Sequence, residues 1–82
     1  MKVAVETDGK NISLKAYKEH FTLYEEDFIA WGWLKGESED FYTRVAGYLE
    51  DVLPDEGHPD WEWKSSELKK VCKEVFKNLK NG

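Results

Sequence analysis

The hydrophobic and polar positions between Ser65 and Asn81 recur at intervals of three and four residues, which is the period of an α-helix. On a helical projection the apolar side chains share one arc about 140° wide. They are Leu68, Val71, Cys72, Val75, Phe76 and Leu79. Ser65 or Ser66 can cap the first turn, and Gly82 follows the last. The pattern predicts a helix that is buried along one side and organises the rest of the chain.

Residues 2–17 alternate between apolar and polar positions, as in a β-hairpin with one buried face. At its centre stands Asp8-Gly9, a dipeptide that favours a two-residue turn because both residues tolerate positive φ. Closing that turn places Thr7 opposite Lys10, Val5 opposite Ile12, and Val3 opposite Leu14. The valines, the isoleucine and the leucine then share a face, and a lone hairpin needs that face to rest on helices.

Two structures remain open for residues 20–36. A helix is favoured by the capping-box spacing of Thr22 and Glu25, by three acids in its first turn, and by Gly36 at its end. Against a helix, Gly32 falls in its middle, and the apolar residues would surround it on all sides. The alternative is a buried, aromatic-rich strand over residues 28–34.

Residues 38–53 have the pattern of a second amphipathic helix. Ser38 can cap it, acids at 39 and 40 suit its N-terminus, and Pro54 ends it. Asp40 and Arg44 are spaced to pair on the outer side. We expect the core to receive Phe41, Tyr42, Val45, Tyr48, Leu49, Val52 and Leu53. A loop with two prolines and a glycine follows, from residue 54 to 64.

These elements predict the α+β class, with an N-terminal antiparallel β-hairpin packed on two or three α-helices. A chain of 82 residues is enough for a single small globular domain, residues 1–82, with one modest core. Cys72 is the only cysteine, so an intrachain disulfide is excluded and a reducing, cytoplasmic location is expected. No apolar run reaches the length of a membrane span, and the N-terminus lacks the pattern of a signal peptide.

Charge is distributed unevenly along the chain, although the net charge is only −5. Residues 1–18 carry +2 and residues 64–82 carry +4, whereas residues 19–63 carry thirteen acids against two bases, or −11. Eleven of the twelve aromatic residues also lie between Tyr17 and Trp63. The middle of the chain is therefore both acidic and aromatic, and its ends are basic.

Catalytic and cofactor signatures are missing from the sequence. The nearest approach to a metal site is a loop cluster, Asp55, Glu56, His58 and Asp60, but it lacks the spacing of a calcium loop, and no histidine pair suits zinc. Neither histidine has a recognisable nucleophile motif. On the helical projection Cys72 faces the protein core, where a thiol is normally inert. We therefore expect a protein that is not an enzyme and holds no cofactor or metal.

The last helix carries a stripe of lysines on its outer side, within about 100° of arc. This lysine stripe consists of Lys69, Lys70, Lys73, Lys77 and Lys80. It can follow a phosphate backbone, which makes a nucleic-acid-binding accessory protein the alternative function. The simpler interpretations are a solvated face, or a face turned towards acids of the same chain or of a sister subunit.

Tryptophans occur in two i,i+2 pairs, Trp31/Trp33 and Trp61/Trp63. The second pair lies among acids, and an exposed tryptophan rimmed by charge is typical of a protein-binding surface. The predicted partner-binding residues, here called the predicted acidic surface, are Glu37, Glu39, Asp40, Asp55, Glu56, Asp60, Trp61, Glu62 and Trp63. The sequence thus favours a small acidic module that docks on a basic surface, comparable in composition alone to immunity, anti-restriction and anti-CRISPR inhibitors that mimic nucleic acid.

Overall fold

The computed structural model describes residues 2–16, 18–53 and 61–81. Three strands come first: β1 (Ala4–Thr7), β2 (Ile12–Ala16) and β3 (Glu19–Leu23). A short helix α1 (Glu25–Ala30) and one 3-10 turn (Trp33–Lys35) follow, and then the long helices α2 (Ser38–Val52) and α3 (Ser65–Asn81). The strands form an antiparallel sheet in the order β1-β2-β3, so the predicted α+β class is confirmed.

The predicted hairpin is present, but its predicted register was wrong by two residues. Val5 pairs with Leu14 and Thr7 pairs with Ile12, so the loop contains four residues, 8–11, instead of two. The Asp8 carboxylate stabilises this loop by accepting hydrogen bonds from the backbone N–H groups of Lys10, at 2.9 Å, and of Asn11, at 2.8 Å. Because a shift of two positions preserves the side-chain alternation, the apolar face remained the expected one.

The helical alternative for residues 20–36 was correct only in part: a helix is present with Glu25, Glu26 and Asp27 in its first turn, but it is much shorter than expected. Residues 19–23 form the third strand, with Phe21 opposite Leu14 and Leu23 opposite Ile12, and a short helix begins only at Glu25. Thr22 therefore lies in a strand and cannot cap that helix, whereas Asn11 Oδ1 accepts the Glu25 N–H at 2.9 Å. Helix α1 ends at Ala30, so the alternative strand over residues 28–34 is also absent.

Helix α2 ends before Pro54, as expected, but its cap differs from the prediction. Glu37 occupies the N-cap position, and its backbone N–H donates to the Asp40 carboxylate at 3.2 Å. Ser38 is the first helical residue and not the cap. Arg44 directs its guanidinium at the carbonyl oxygen of Trp33, 3.3 Å away.

Helix α3 has the bounds that its hydrophobic period predicted. Leu68, Cys72 and Val75 are fully buried, and the three other members of the predicted stripe pack against them. The helix starts without a serine cap, because the Lys64 carbonyl accepts the N–H of Leu68 at 3.1 Å and so Lys64 precedes the first turn. Helix α3 packs on both α2 and the sheet, and it thus stands at the centre of the fold.

The core lies between one face of the sheet and the three helices. Its fully buried side chains include Ile12 and Leu14 from β2, Phe28 from α1 and Phe41 from α2. Side chains on the other face of the sheet are polar: Lys15 pairs with Glu6 at 3.1 Å, and Ser13 contacts Thr22 at 3.5 Å. The sheet is therefore covered by helices on one side and faces solvent on the other.

Candidate partner-binding surface

The structure divides the predicted acidic surface into two groups. Glu37, Glu39 and Asp40 lie at the start of α2, whereas Trp61, Glu62 and Trp63 lie beside Glu50 near its end. Helix α2 has 15 residues and so is about 22 Å long at about 1.5 Å per residue. Asp55, Glu56, Asp60 and the loop histidine His58 lie outside the described residues. The described members therefore do not form one continuous patch.

Lysines of the same chain lie beside the acids at the start of α2. Lys69 Nζ lies 3.8 Å from a Glu39 carboxylate oxygen, and Glu37 lines a groove together with Lys73, Lys77 and Lys80. Because this acidic end meets the lysine stripe of α3, the charges at the two elements largely compensate. These acids consequently offer a basic partner less attraction than their number in the sequence indicated.

The lysine stripe is also engaged with aromatic rings of its own chain. Lys69 Nζ stands 5.1 Å from the centre of the Tyr42 ring, and Lys80 Nζ stands 5.4 Å from that of Phe76. Both arrangements are cation–π contacts, which hold the ammonium groups over the surface of α2 and α3. The stripe exists as predicted, but two of its five lysines are turned towards their own chain.

Trp61 and Trp63 are half-buried and both pack against the core. The Val3 N–H donates to the Glu62 carbonyl oxygen at 2.7 Å, which holds this segment alongside the start of the sheet. Glu50 and Glu62 join the two indoles in lining a shallow depression. The tryptophans are thus neither fully exposed nor fully enclosed, and part of their role is structural.

A different group of apolar side chains is the most exposed in the described part of the chain. Tyr24 is 51% exposed, Ile29 58% and Trp31 43%. We call these three residues the α1 patch: Tyr24 precedes α1, Ile29 lies in it and Trp31 follows it. At about 100° per residue Tyr24 and Trp31 share a face of the helix, and Ile29 is turned by about 140–160° from them. Sequence reasoning missed this patch, although one signal was present: the apolar residues of this stretch surround a helix on all sides, so some of them must face outwards.

An aromatic cluster connects the α1 patch to the core. The centre of the Trp31 ring lies 4.6 Å from that of Trp33 and 5.0 Å from that of Tyr48, while Trp33 stacks on the buried Phe28 at 5.9 Å. Gly32 allows the two tryptophans to come together, because its left-handed φ of 72° changes the direction of the chain between the end of α1 and the 3-10 turn. The Trp31 ring is therefore held in place on one side and exposed on the other.

The charge around the α1 patch is negative. Residues 21–34 contain three acids, Glu25, Glu26 and Asp27, and no basic residue. Asp27 precedes Trp31 by four positions, so the two side chains lie on the same face of α1. Two cations lie nearby: the Arg44 guanidinium donates to the Trp33 and Gly32 carbonyl oxygens at 3.3 and 3.5 Å, and the Lys35 ammonium lies 3.9 Å from the position that a Cβ on Gly32 would take. The patch thus combines exposed apolar area with a local excess of carboxylates.

The titratable groups offer little that is typical of catalysis. Burial raises the pKa of the Cys72 thiol from 9.0 to about 12, so the thiol stays protonated and non-nucleophilic at neutral pH. His20 Nε2 lies 3.0 Å from Thr22 Oγ1, but this contact stands on the solvent-exposed face of the sheet. Among residues 2–16, 18–53 and 61–81, no three His, Cys, Asp or Glu side chains are grouped closely enough to hold a metal ion.

Comparison of the chain with protein-family models, with curated proteins and with solved structures found no match. Of the helices in the described part of the chain, none combines the length and apolar character that a membrane crossing requires.

Proposed function

We propose that this chain is a non-enzymatic protein-binding module that docks on a basic surface of its partner, with the α1 patch at the centre of the contact. The observation that carries this proposal is the exposure of Tyr24, Ile29 and Trp31 beside three acids. Exposed apolar groups of this size, when rimmed by charge, favour association with another protein.

The two components of the patch contribute differently to binding. The carboxylates raise the association rate with a positive surface, and that rate falls as salt is added. The Trp31 ring supplies contact area that is lost from water in the complex, and it is already held by Trp33 and Tyr48, so little conformational entropy is lost on binding. Charge therefore governs encounter, and the tryptophan governs residence time.

The second group of the predicted surface is an extension of this interface and not its centre. Glu50, Glu62 and the half-buried Trp61 and Trp63 add a further acidic, aromatic area. A partner whose basic cleft normally holds nucleic acid has the charge that both areas require. Inhibition of such a nucleic-acid-binding protein is accordingly the biological role that we propose.

Direct nucleic-acid binding by the lysine stripe is the weaker alternative. Lys69 pairs with Glu39, and Glu37 lies in the groove formed with Lys73, Lys77 and Lys80. A phosphate backbone approaching this face meets two carboxylates as well as the lysines, which reduces the electrostatic gain per lysine.

The test is capture of partner proteins from an extract of the source cells at low and high salt, followed by association kinetics with each purified partner. Two variants change the net charge equally: Glu26→Lys removes an exposed acid from α1, and Glu74→Lys removes an exposed acid from α3. We expect Glu26→Lys to slow association and weaken its salt dependence, while Glu74→Lys changes both much less.

A third variant tests the apolar component. Ile29→Ser removes the most exposed apolar side chain, so the fold is retained while the dissociation rate rises. The interface lies elsewhere if Glu26→Lys and Glu74→Lys change capture and kinetics equally and Ile29→Ser changes neither. Loss of binding through Glu50→Lys alone would transfer the interface to the Trp61–Trp63 area.

A further inference from the structure

The exposed Trp31 ring differs from the rings of Tyr42 and Phe76 in its relation to the cations of the described residues. Lys69 covers the Tyr42 ring and Lys80 covers the Phe76 ring. Among the residues that the structure describes, no lysine or arginine takes the corresponding position over Trp31. Trp31 nevertheless has the indole, the aromatic side chain that attracts cations most strongly. Two aromatic rings of the described residues therefore have a lysine over them, whereas the exposed Trp31 indole has none.

The surroundings of this ring are suited to a cation. Asp27 lies one turn before Trp31 on the same face of α1, whereas the exposed Glu26 is turned by about 140° from Trp31 around the helix. A cation placed over the indole therefore has a carboxylate within the reach of one helical turn. Trp33 and Tyr48 fix the ring from behind, so the position of this cation is defined before binding.

Arginine fits this arrangement better than lysine. Its guanidinium is planar and weakly hydrated, so it can stack on an indole while its edge donates two hydrogen bonds to a carboxylate. A lysine ammonium is compact and strongly hydrated, and it cannot make the stacked and the bidentate contact together. An aromatic face next to a carboxylate consequently discriminates between two side chains of equal charge.

We propose that the α1 patch recognises an arginine side chain of the partner, stacked on Trp31 and paired with the carboxylate of Asp27. This rests on the proposed function, because it specifies which basic side chain occupies the same surface. The expected partner is then a protein whose basic surface presents an arginine side chain at the centre of the contact.

Two peptides of equal length and charge test this preference with the full chain. One alternates arginine and glycine, the other lysine and glycine, and each is titrated while the amide resonances of the protein are followed. At about 50 mM salt we expect the arginine peptide to bind about fivefold or more tightly than the lysine peptide, as expected for one cation–π contact. The shifted resonances should include those of residues 24–31.

Substitution of the ring provides the matched control. Trp31→Leu retains an apolar side chain but removes the π face, so both peptides should bind more weakly and the arginine peptide should lose more, until the two affinities are about equal. Trp31→Phe should keep part of the preference. The amide spectrum of each free variant establishes that it is folded.

Three results would overturn the inference, and they are distinguishable. Equal binding of the two peptides by the unmodified chain removes the arginine preference and leaves a charge-driven interface. A preference that survives Trp31→Leu, or shifts confined to residues 50 and 61–63, places arginine recognition on another surface. Binding of neither peptide contradicts the arginine inference and the proposed basic partner together.

Discussion

The side-chain amide of Asn78, in the last turn of α3, donates a hydrogen bond of 3.0 Å to the carbonyl oxygen of Gly9 in the β1–β2 loop. This contact joins residues 69 positions apart in the chain. It attaches the tip of the first hairpin to the end of the helix on which the sheet packs. The same loop contacts α1 through Asn11, so residues 8–11 link three elements.

Removal of this link should destabilise the fold measurably. In Asn78→Ala the Gly9 carbonyl loses its protein donor but remains accessible to water, so we expect the free energy of unfolding to fall by about 0.5–1 kcal/mol. Asn81→Ala, at the frayed end of the same helix, is the control and should change it by much less. Urea unfolding of both variants measures the difference, and equal stabilities would show that the contact contributes nothing.

Two glycines should respond to alanine with opposite signs. Gly9 has φ 101°, and a Cβ there would lie 3.1 Å from Asn78 Nδ2, so Gly9→Ala should cost about 1 kcal/mol or more. Gly47 is exposed in the middle of α2 with no atom near its would-be Cβ, so Gly47→Ala should stabilise by about 0.5–1 kcal/mol. Thermal unfolding compares the two variants, and the same sign for both would contradict this explanation.

Stability should decline in alkaline solution through Cys72. Burial raises the pKa of its thiol from 9.0 to about 12, so above pH 9 the unfolded chain releases this proton while the native chain retains it. The unfolded state then binds fewer protons, and the free energy of unfolding falls by at most about 1.4 kcal/mol per pH unit from this group. The loss begins near the unfolded pKa and ceases near the native one.

The measurement is denaturant unfolding of the chain and of Cys72→Ala, under reducing conditions, at several pH values from about 8 to about 10.5. Cys72→Ala leaves a small cavity, which lowers stability at every pH, but it removes the thiol's pH dependence. The difference in stability between the two proteins should therefore shrink by about 2 kcal/mol across this range. A constant difference would mean that the thiol ionises equally in both states.

The lysine stripe should bind nucleic acid poorly while Glu37 and Glu39 are present. We expect little retention of the chain on DNA or RNA at about 50 mM salt, and stronger, salt-sensitive retention of the Glu37→Gln, Glu39→Gln double variant. Strong retention of the unmodified chain, abolished by glutamate at Lys69, Lys73 and Lys77, would instead support the nucleic-acid-binding alternative.

The elements that the sequence predicted well are those whose periodicity is long. Seventeen residues of α3 give five helical turns of consistent pattern, and both of its ends were correct. The strand β3 has only five residues, and the two residues that connect it to β2 include no glycine, asparagine or aspartate. Without a turn signal, the alternation of Phe21 and Leu23 was too short to separate from the helix that follows.

The hairpin register failed for a related reason. Asp8-Gly9 was interpreted as a complete two-residue turn, but the Asp8 side chain accepts two backbone N–H groups and so stabilises a longer loop. Both loops preserve the apolar face, so the alternation of Val5 and Leu14 could not distinguish them. The hydrogen bonds that the Asp8 and Thr7 side chains make within residues 7–11 support the longer loop.

The acidic surface was harder to predict than the fold because charge compensation depends on tertiary contacts. Glu39 and Lys69 are 30 positions apart, and no local pattern indicates that they meet. The exposure of Trp31 likewise depends on Gly32, whose left-handed conformation places Trp33 inwards. Net charge and aromatic content favoured residues 19–63 for the proposed interface, while the choice of particular side chains required the folded arrangement.

The α1 patch can be tested most directly by amide hydrogen exchange of the chain, free and bound to its captured partner. If the interface centres on Tyr24, Ile29 and Trp31, slower exchange on binding should be greatest in residues 24–35, and Ile29→Ser should reduce it. Residues 61–64 should show a smaller change, and the lysine stripe on α3 should show none. Protection confined to residues 61–64 or to α3, with residues 24–35 unchanged, would contradict the proposed interface.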